Sequence, residues 1–143
     1  MKRFEFRLSR VKDLRQRQME AEQETLRKLL AELEAVRQAQ QRLREEYLAE
    51  ESALAAAPRL EDFQALASWR RSLGQHQARL ESRAMEISKR IDQQRLRAVE
   101  ASRRYRLLEK LYEQRRKEWE AETNREVEAF AAEVFLAVWG RNG

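Results

Sequence analysis

The sequence contains no cysteine, one proline, three glycines and one histidine among its 143 residues. Without cysteine the chain can form neither a disulfide nor a thiolate metal site, which favours the cytoplasm or another reducing compartment. Proline and glycine are the residues that most often interrupt helices and form tight turns, and both are scarce. These absences favour a chain built from long helices with few connections.

Long apolar runs are also absent. Charged residues make up 38% of the chain and the mean hydropathy is -0.90. No apolar run reaches the length of a membrane span, and residues 1–11 lack the apolar core of a signal peptide, so we expect no direct membrane insertion and no secretion by that route. The chain has too little apolar material for a layered globule with a deep substrate pocket.

Catalytic motifs are missing as well. The sequence has no glycine-rich phosphate loop, no nucleophile with an evident base and no pair of carboxylates predicted to share a cleft. We therefore predict that the protein is not an enzyme and has no catalytic residue, no cofactor and no metal site.

What the sequence does contain is two apolar series whose spacing alternates between three and four residues. The first series is Leu26, Leu29, Leu33, Val36, Gln40, Leu43 and Tyr47. The second series, beyond Pro58, is Trp69, Leu73, His76, Leu80, Ala84, Ile87 and Ile91. Paired from the middle outward, the residue numbers sum to 116 or 117, as they do in two antiparallel helices joined near Pro58. The sequence predicts an all-α fold, a long antiparallel two-helix coiled-coil hairpin.

The expected hairpin is a single coiled-coil domain over residues 1–143. Helix one is predicted at about 4–52, the turn at about 53–61 and helix two at about 62–138, because Pro58 is tolerated only in a turn or a first helical turn and Gly140 favours a helix end. The pairing extends to Phe4 with Tyr112. Helix two then outlasts helix one by about 25 residues, or about 35 to 40 Å at 1.5 Å per residue.

This overhanging C-terminal helix begins polar and becomes apolar. An apolar helix without a partner in its own chain is expected to dock on another protein. The candidate docking residues are Phe130, Val134, Phe135 and Trp139.

Basic residues collect where the pairing brings the N-terminus against helix two. Residues 1–17 and residues 97–117 each carry a net charge of +5, whereas residues 118–143 carry -4. A basic collar of this kind suits an acidic protein partner, although a solvated face and nucleic-acid phosphates are alternatives. No nucleic-acid-binding motif or aromatic stacking platform accompanies the basic residues, so we expect no nucleic acid.

Two polar positions interrupt the predicted seam. His76 is expected to face Gln40, and because no further ligand lies one turn away, a polar layer that fixes the register is favoured over a metal site. Glu22 is expected to face Gln94. We expect the seam to be looser at that second level.

Two sequence runs resemble the FliJ family of flagellar type III export proteins. The first is Phe4-Glu5-Phe6-Arg7-Leu8-Ser9-Arg10-Val11, and the second extends from Leu108-Glu109-Lys110-Leu111 through Arg115-Arg116 to Glu118-Trp119. The resemblance implies a cytoplasmic, non-enzymatic stalk and escort protein, peripheral to the inner face of the cell membrane at the flagellar base. Its implied partners are the hexameric export ATPase, the cytoplasmic part of the export-gate membrane protein, and export chaperones.

The resemblance also implies two contact sites. The candidate ATPase-ring contacts are Arg7, Arg10, Arg103, Arg104, Arg115 and Arg116. The candidate export-gate contacts are Leu43, Tyr47, Trp69, Leu73 and His76. Three alternatives stay open: the stalk of a virulence type III secretion system, a nucleic-acid-binding coiled coil, and a structural coiled coil that self-associates through its tail.

Overall fold

The computed structural model describes residues 2–56 and 60–142, with side chains described for residues 2–56 and 63–141. Two α-helices account for almost all of these residues, α1 over Ser9–Ala56 and α2 over Leu60–Asn142. No β-strand occurs in the described ranges. The predicted all-α class is confirmed.

The helix ends differ from the predicted ends at three places. Helix α1 begins at Ser9 rather than near Phe4, and it continues to Ala56, so residues 53–56 are helical instead of part of a turn. Alanine and leucine, which make up all four of these residues, are strong helix formers. Helix α2 continues past Gly140 to Asn142, because one glycine weakens a helix by about 1 kcal/mol without necessarily ending it. The turn predicted at Pro58 lies outside the described residues.

The chain divides into two compact units. The first unit consists of Met1–Glu20 with Glu100–Gly143, and the second unit consists of Ala21–Val99. Helices α1 and α2 each contribute a segment to both units.

The second unit has an apolar core that draws on both predicted series. Leu33, Val36, Ile87 and Ile91 are at most 8% exposed and form one cluster. The cluster is flanked by Leu26, Leu29, Leu80 and Ala84. Burial of a large aliphatic side chain contributes about 1.5 to 3 kcal/mol, so this cluster is the main stabilising contact of the unit.

The predicted pairing of His76 with Gln40 is wrong. His76 is exposed, and the Gln40 side-chain amide instead donates a hydrogen bond to Glu81 Oε2 at 3.2 Å. On a helix, His76 lies about 60° away from Leu73 around the axis. The imidazole therefore sits at the edge of the seam, where it keeps its hydration.

The polar layer of the second unit is formed by Gln94. Its side chain is 5% exposed, and its Nε2 donates to the main-chain oxygen of Glu22 at 3.0 Å and to the Glu22 carboxylate. The looser seam expected at this level is therefore wrong. The amide nitrogen thus finds both of its acceptors across the helix pair, on Glu22, which allows a polar group to be buried there.

Candidate functional site

A non-helical N-terminal segment, residues 2–8, precedes α1 in the first unit and is termed the strap. The chain turns from the strap into α1 through two main-chain hydrogen bonds. The Ser9 amide donates to the Phe6 oxygen at 3.1 Å, and the Lys12 amide donates to the Leu8 oxygen at 2.9 Å.

The strap is held on α2 by an aromatic cluster of Phe4, Phe6, Tyr112 and Trp119. The ring of Tyr112 meets Phe4 edge-on at 5.5 Å between centroids and Phe6 edge-on at 5.4 Å. Trp119 lies 5.8 Å from Phe4 and donates its Nε1 hydrogen to the Lys2 main-chain oxygen at 2.9 Å. Edge-to-face aromatic pairs contribute about 0.5 to 1.5 kcal/mol beyond their buried area.

Helix α1 adds one more contact to this cluster. The Nζ of Lys12 lies 3.9 Å from the centroid of the Tyr112 ring. A cation over an aromatic face contributes about 0.5 to 1 kcal/mol at an exposed site. Tyr112 therefore holds both the strap and the first turn of α1.

The sequence prediction missed the strap because it continued helix one to Phe4. In a helix, Phe4 and Phe6 would lie about 160° apart around the axis, and only one ring would reach Tyr112. The non-helical backbone lets both rings contact Tyr112. The spacing of two between the phenylalanines, unlike the threes and fours that follow, is the signal that could have revealed it.

All six candidate ring-contact arginines lie in the first unit and are exposed. Four of them form ion pairs with glutamates one turn away: Arg103 and Arg104 with Glu100 (3.5 and 3.2 Å), Arg115 with Glu118 (3.4 Å) and Arg116 with Glu120 (3.3 Å). Arg7 and Arg10 form no ion pair with any described residue. The two N-terminal arginines are thus the members of the set whose charge is least neutralised by neighbours.

The candidate gate-contact residues lie in the second unit. Tyr47 and Trp69 stack in parallel, with centroids 5.6 Å apart and ring planes 5° apart. The Tyr47 hydroxyl donates to the Glu51 carboxylate, which also pairs with Arg70 Nη2 at 2.9 Å. The hydrogen bond to Glu51 raises the pKa of Tyr47 above its ordinary value.

The five gate candidates differ in exposure. Leu43 and Leu73 are 9% and 8% exposed, so they pack inside the unit and can affect a partner only through the residues they support. Tyr47 and Trp69 are half-buried, and His76 is exposed. Direct contact with another protein is therefore available to these last three side chains.

The apolar tail, residues 127–139 of α2, is exposed throughout. Phe130, Phe135 and Trp139 are 68%, 64% and 69% exposed, and Val134 is 46% exposed. The rings of Phe135 and Trp139 stack on one another at 6.1 Å, one turn apart. Among the described residues, nothing covers the candidate docking face.

Two further features bear on the chemistry of this surface. In the described part of the chain, no three histidine, aspartate or glutamate side chains are grouped so that they could hold a metal ion. Over the same residues, neither α1 nor α2 contains a stretch long and apolar enough to cross a membrane.

Comparison of the chain with models of known protein families, with curated proteins and with solved structures finds no match. The resemblance to the FliJ family therefore rests on the two sequence runs alone.

Proposed function

We propose that this chain is a non-enzymatic stalk and escort protein of flagellar type III export. In this proposal the fold is an antiparallel two-helix coiled-coil hairpin with an overhanging C-terminal helix. The first unit binds the export ATPase ring, the Tyr47 and Trp69 region of the second unit contacts the export gate, and the protein works in the cytoplasm at the inner face of the membrane. Export chaperones are its remaining proposed partners.

The observation that supports the proposal most is the packing of the strap. Phe4 and Phe6 belong to the first run that resembles the FliJ family, and Tyr112 and Trp119 belong to the second. These residues contact one another in the first unit. Two runs that are remote in sequence thus form one structure, as expected if they are parts of a single contact surface.

Contacts between α1 and α2 in the second unit support the antiparallel pairing. In order along α1, contacts join Glu22 with Gln94, Gln40 with Glu81, and Tyr47 with Trp69. Residue numbers rise along α1 as they fall along α2, which is the order of an antiparallel pair.

The exposed arginines supply a suitable chemistry for a ring contact. Guanidinium groups bind carboxylates with two hydrogen bonds, yet each exposed pair contributes only about 0.2 to 1 kcal/mol and is screened by salt. A surface of several such groups binds an acidic ring without locking to it. Repeated release and rebinding, which a stalk inside an ATPase ring requires, then has a low energetic barrier.

Binding to the flagellar export ATPase from the same genome tests the proposal. We expect the wild-type chain to bind the ATPase and stimulate ATP hydrolysis, and we expect both effects to decrease as salt rises. The double variant Arg7→Glu/Arg10→Glu should bind at least about tenfold more weakly, since two attractive contacts become repulsive. The matched control is Arg37→Glu/Arg42→Glu, which changes the net charge equally in the second unit at two exposed arginines.

Absence of ATPase binding by the wild-type chain would overturn the proposal. Equal loss of binding in both double variants would overturn the assignment of the site to the first unit. Retardation of random-sequence DNA without ATPase binding would favour a nucleic-acid-binding coiled coil, and binding only to a virulence-system ATPase would favour that related stalk.

A further inference from the structure

Helix α1 begins at Ser9 without the local signals that usually begin a helix. The Lys12 amide donates to the Leu8 oxygen at 2.9 Å, which places Leu8 at the N-cap position. Leucine is among the poorest N-cap residues, because its side chain cannot accept a hydrogen bond from the first free amides. The first turn also contains no acidic residue, and Arg10 brings positive charge to the positive end of the helix dipole.

The strap sequence is itself compatible with further helix. Residues 2–8 contain neither proline nor glycine. A helix that began at Phe4 would have Glu5 in its first turn, where a carboxylate is favourable. It would also bring Phe4 and Leu8 into line with Val11, at the spacing of four and three that is typical of a helix seam. Local sequence therefore favours a longer α1 than the structure contains.

Contacts with α2 hold the strap extended against this local preference. Half-buried and exposed side chains alternate over residues 3–8, as they do along an extended chain packed on one side. The Phe6 ring meets Tyr112 edge-on, and Trp119 donates its Nε1 hydrogen to the Lys2 oxygen at 2.9 Å. These two contacts belong to the extended strap.

The aromatic contact of Phe4 is compatible with both backbone forms. The antiparallel order of the predicted seam places Phe4 opposite Tyr112 in a helix, and the two rings also meet in the extended strap. The Phe6 side chain, in contrast, would point about 160° away from Phe4 in a helix. A helical strap would thus keep the Phe4 contact and lose the Phe6 contact.

A helical strap would also uncover Trp119. Each residue that changes from extended to helical shortens the chain by about 1.8 Å along its axis. Winding residues 4–6 into a helix would therefore draw Lys2 back along α2 by about 5 Å. A hydrogen bond of 2.9 Å does not survive that displacement.

We propose that the strap is a conformational switch with two states. In the extended state, which the structure shows, the strap covers Trp119. In the helical state α1 begins at Phe4, and the indole of Trp119 and the ring of Phe6 are free to bind another molecule. A partner that binds Trp119 favours the helical state, and one that binds the extended strap keeps Trp119 covered. The switch does not depend on the proposed role in export.

Two substitutions shift the switch in opposite directions. Phe6→Ala removes a contact of the extended state alone and introduces the best helix former. Arg7→Pro blocks the helical state, because the residue before a proline is disfavoured in helical backbone. Proline suits the extended state, since Arg7 is the second residue of the turn closed by the Ser9 amide and the Phe6 oxygen at 3.1 Å.

Two measurements on the full-length chain follow the two states. Backbone carbon chemical shifts over residues 3–8 distinguish extended, helical and disordered backbone. Acrylamide quenching reports the exposure of Trp119, in a chain whose other two tryptophans are replaced by Trp69→Phe and Trp139→Phe. Far-UV circular dichroism verifies that α1 and α2 remain folded in every variant.

We expect Phe6→Ala to raise the ratio of helical to extended strap by at least about tenfold, because the lost aromatic pair stabilised only the extended state. Residues 4–8 should then show helical shifts, and Trp119 should be quenched more strongly. The double variant Phe6→Ala/Arg7→Pro should lose the helical shifts. The matched control Glu5→Ala, at an exposed position of the strap, should resemble the wild type.

Three results would overturn the inference. Disordered shifts over residues 4–8 in Phe6→Ala would show that the strap is released without becoming helical. An extended strap with an equally protected Trp119 in that variant would show that there is no second state. Helical shifts that persist in Phe6→Ala/Arg7→Pro would exclude a helix that passes through residue 6.

Discussion

Gln94 is a buried polar side chain of the second unit, and its hydrogen bonds favour one alignment of α1 against α2. Its amide bonds both to the Glu22 main-chain oxygen and to the Glu22 carboxylate. A shift of the pairing would leave this amide buried without a partner, at a cost of about 1 to 3 kcal/mol. The contact therefore favours the observed alignment more than it increases the stability of the pair.

We predict that the double variant Glu22→Leu/Gln94→Leu is more stable than the wild type, by on the order of 1 kcal/mol, because a desolvated polar pair is replaced by packed apolar groups. Gln94→Leu alone should be less stable than the double variant, since it leaves the Glu22 carboxylate beside an apolar side chain. Urea unfolding followed by circular dichroism measures both.

The control for this pair is Gln93→Leu, at an exposed neighbouring position, which should change the free energy of unfolding by less than about 0.5 kcal/mol. A double variant that is clearly less stable than the wild type would show that the polar layer is a net source of stability.

The hydrogen bond of Tyr47 makes the stability of the second unit depend on pH in the alkaline range. Its hydroxyl donates to Glu51, which raises the pKa of Tyr47 above the ordinary value of 10.0. Because the folded-state pKa exceeds the unfolded one, the hydrogen bond stabilises the fold below about pH 10, and this contribution is lost as the pH rises through the raised pKa.

We therefore predict that the stability of the wild type relative to Tyr47→Phe decreases between about pH 9 and pH 12. Urea unfolding of both proteins at each pH provides the difference, and Tyr105 and Tyr112 cancel because both proteins contain them. A difference that is constant across this range would contradict the assigned hydrogen bond.

Among the structural elements, the strap is the one that depends least on helix propensity. Its position results from the contacts of Phe4 and Phe6 with Tyr112 and from the hydrogen bond between Trp119 and the Lys2 oxygen. It has no helical hydrogen-bond ladder of its own. Loss of the aromatic contacts should therefore release the strap while α2 remains folded.

We predict that Phe4→Ala/Phe6→Ala lowers the protection of residues 2–8 against amide hydrogen exchange by at least about tenfold, which corresponds to the roughly 1.4 kcal/mol expected as a minimum from three lost aromatic pairs. Protection in the core around Ile87 and Ile91 should be unchanged. The control is Phe130→Ala, since Phe130 is 68% exposed. Unchanged protection of the strap in the double variant would refute the role of the aromatic cluster.

The helices of the second unit could be predicted from the sequence because period and burial agree there. Leu33, Val36, Ile87 and Ile91 repeat at threes and fours and form the core. His76 fits the same period but is exposed. Spacing alone cannot separate the centre of a seam from its edge, because the two differ by only about 60° of rotation around the helix.

The candidate site was less predictable than the helices for two physical reasons. The strap depends on a contact of Phe4 with Trp119, and local propensity carries no information about a contact so remote in sequence. The basic collar was expected from the net charge of residues 97–117, but ion pairs such as Arg116 with Glu120, a residue beyond that segment, neutralise part of it locally. Such pairs follow from i, i+4 spacing and could have been subtracted from that charge.

At the scale of the whole molecule, the proposed stalk requires that α1 and α2 pair in antiparallel order inside a single chain, in both units. The first unit then presents arginines beside the strap, and the second unit presents the stacked Tyr47 and Trp69. If the helices paired between two chains instead, both surfaces would be assembled from different molecules. The proposed contacts with the ATPase ring and the gate would then lose their basis.

Spin-label distances test this pairing most directly, and the absence of cysteine makes the labelling specific. One doubly labelled protein carries Arg10→Cys and Arg106→Cys in the first unit, and a second carries Arg37→Cys and Arg79→Cys in the second unit. All four positions are exposed, and each label pair is measured after dilution with excess unlabelled chain. For helices 8 to 10 Å apart we predict a single distance below about 30 Å in both proteins, unchanged by dilution. Distances above about 40 Å, or a short distance that disappears on dilution, would contradict antiparallel pairing within one chain.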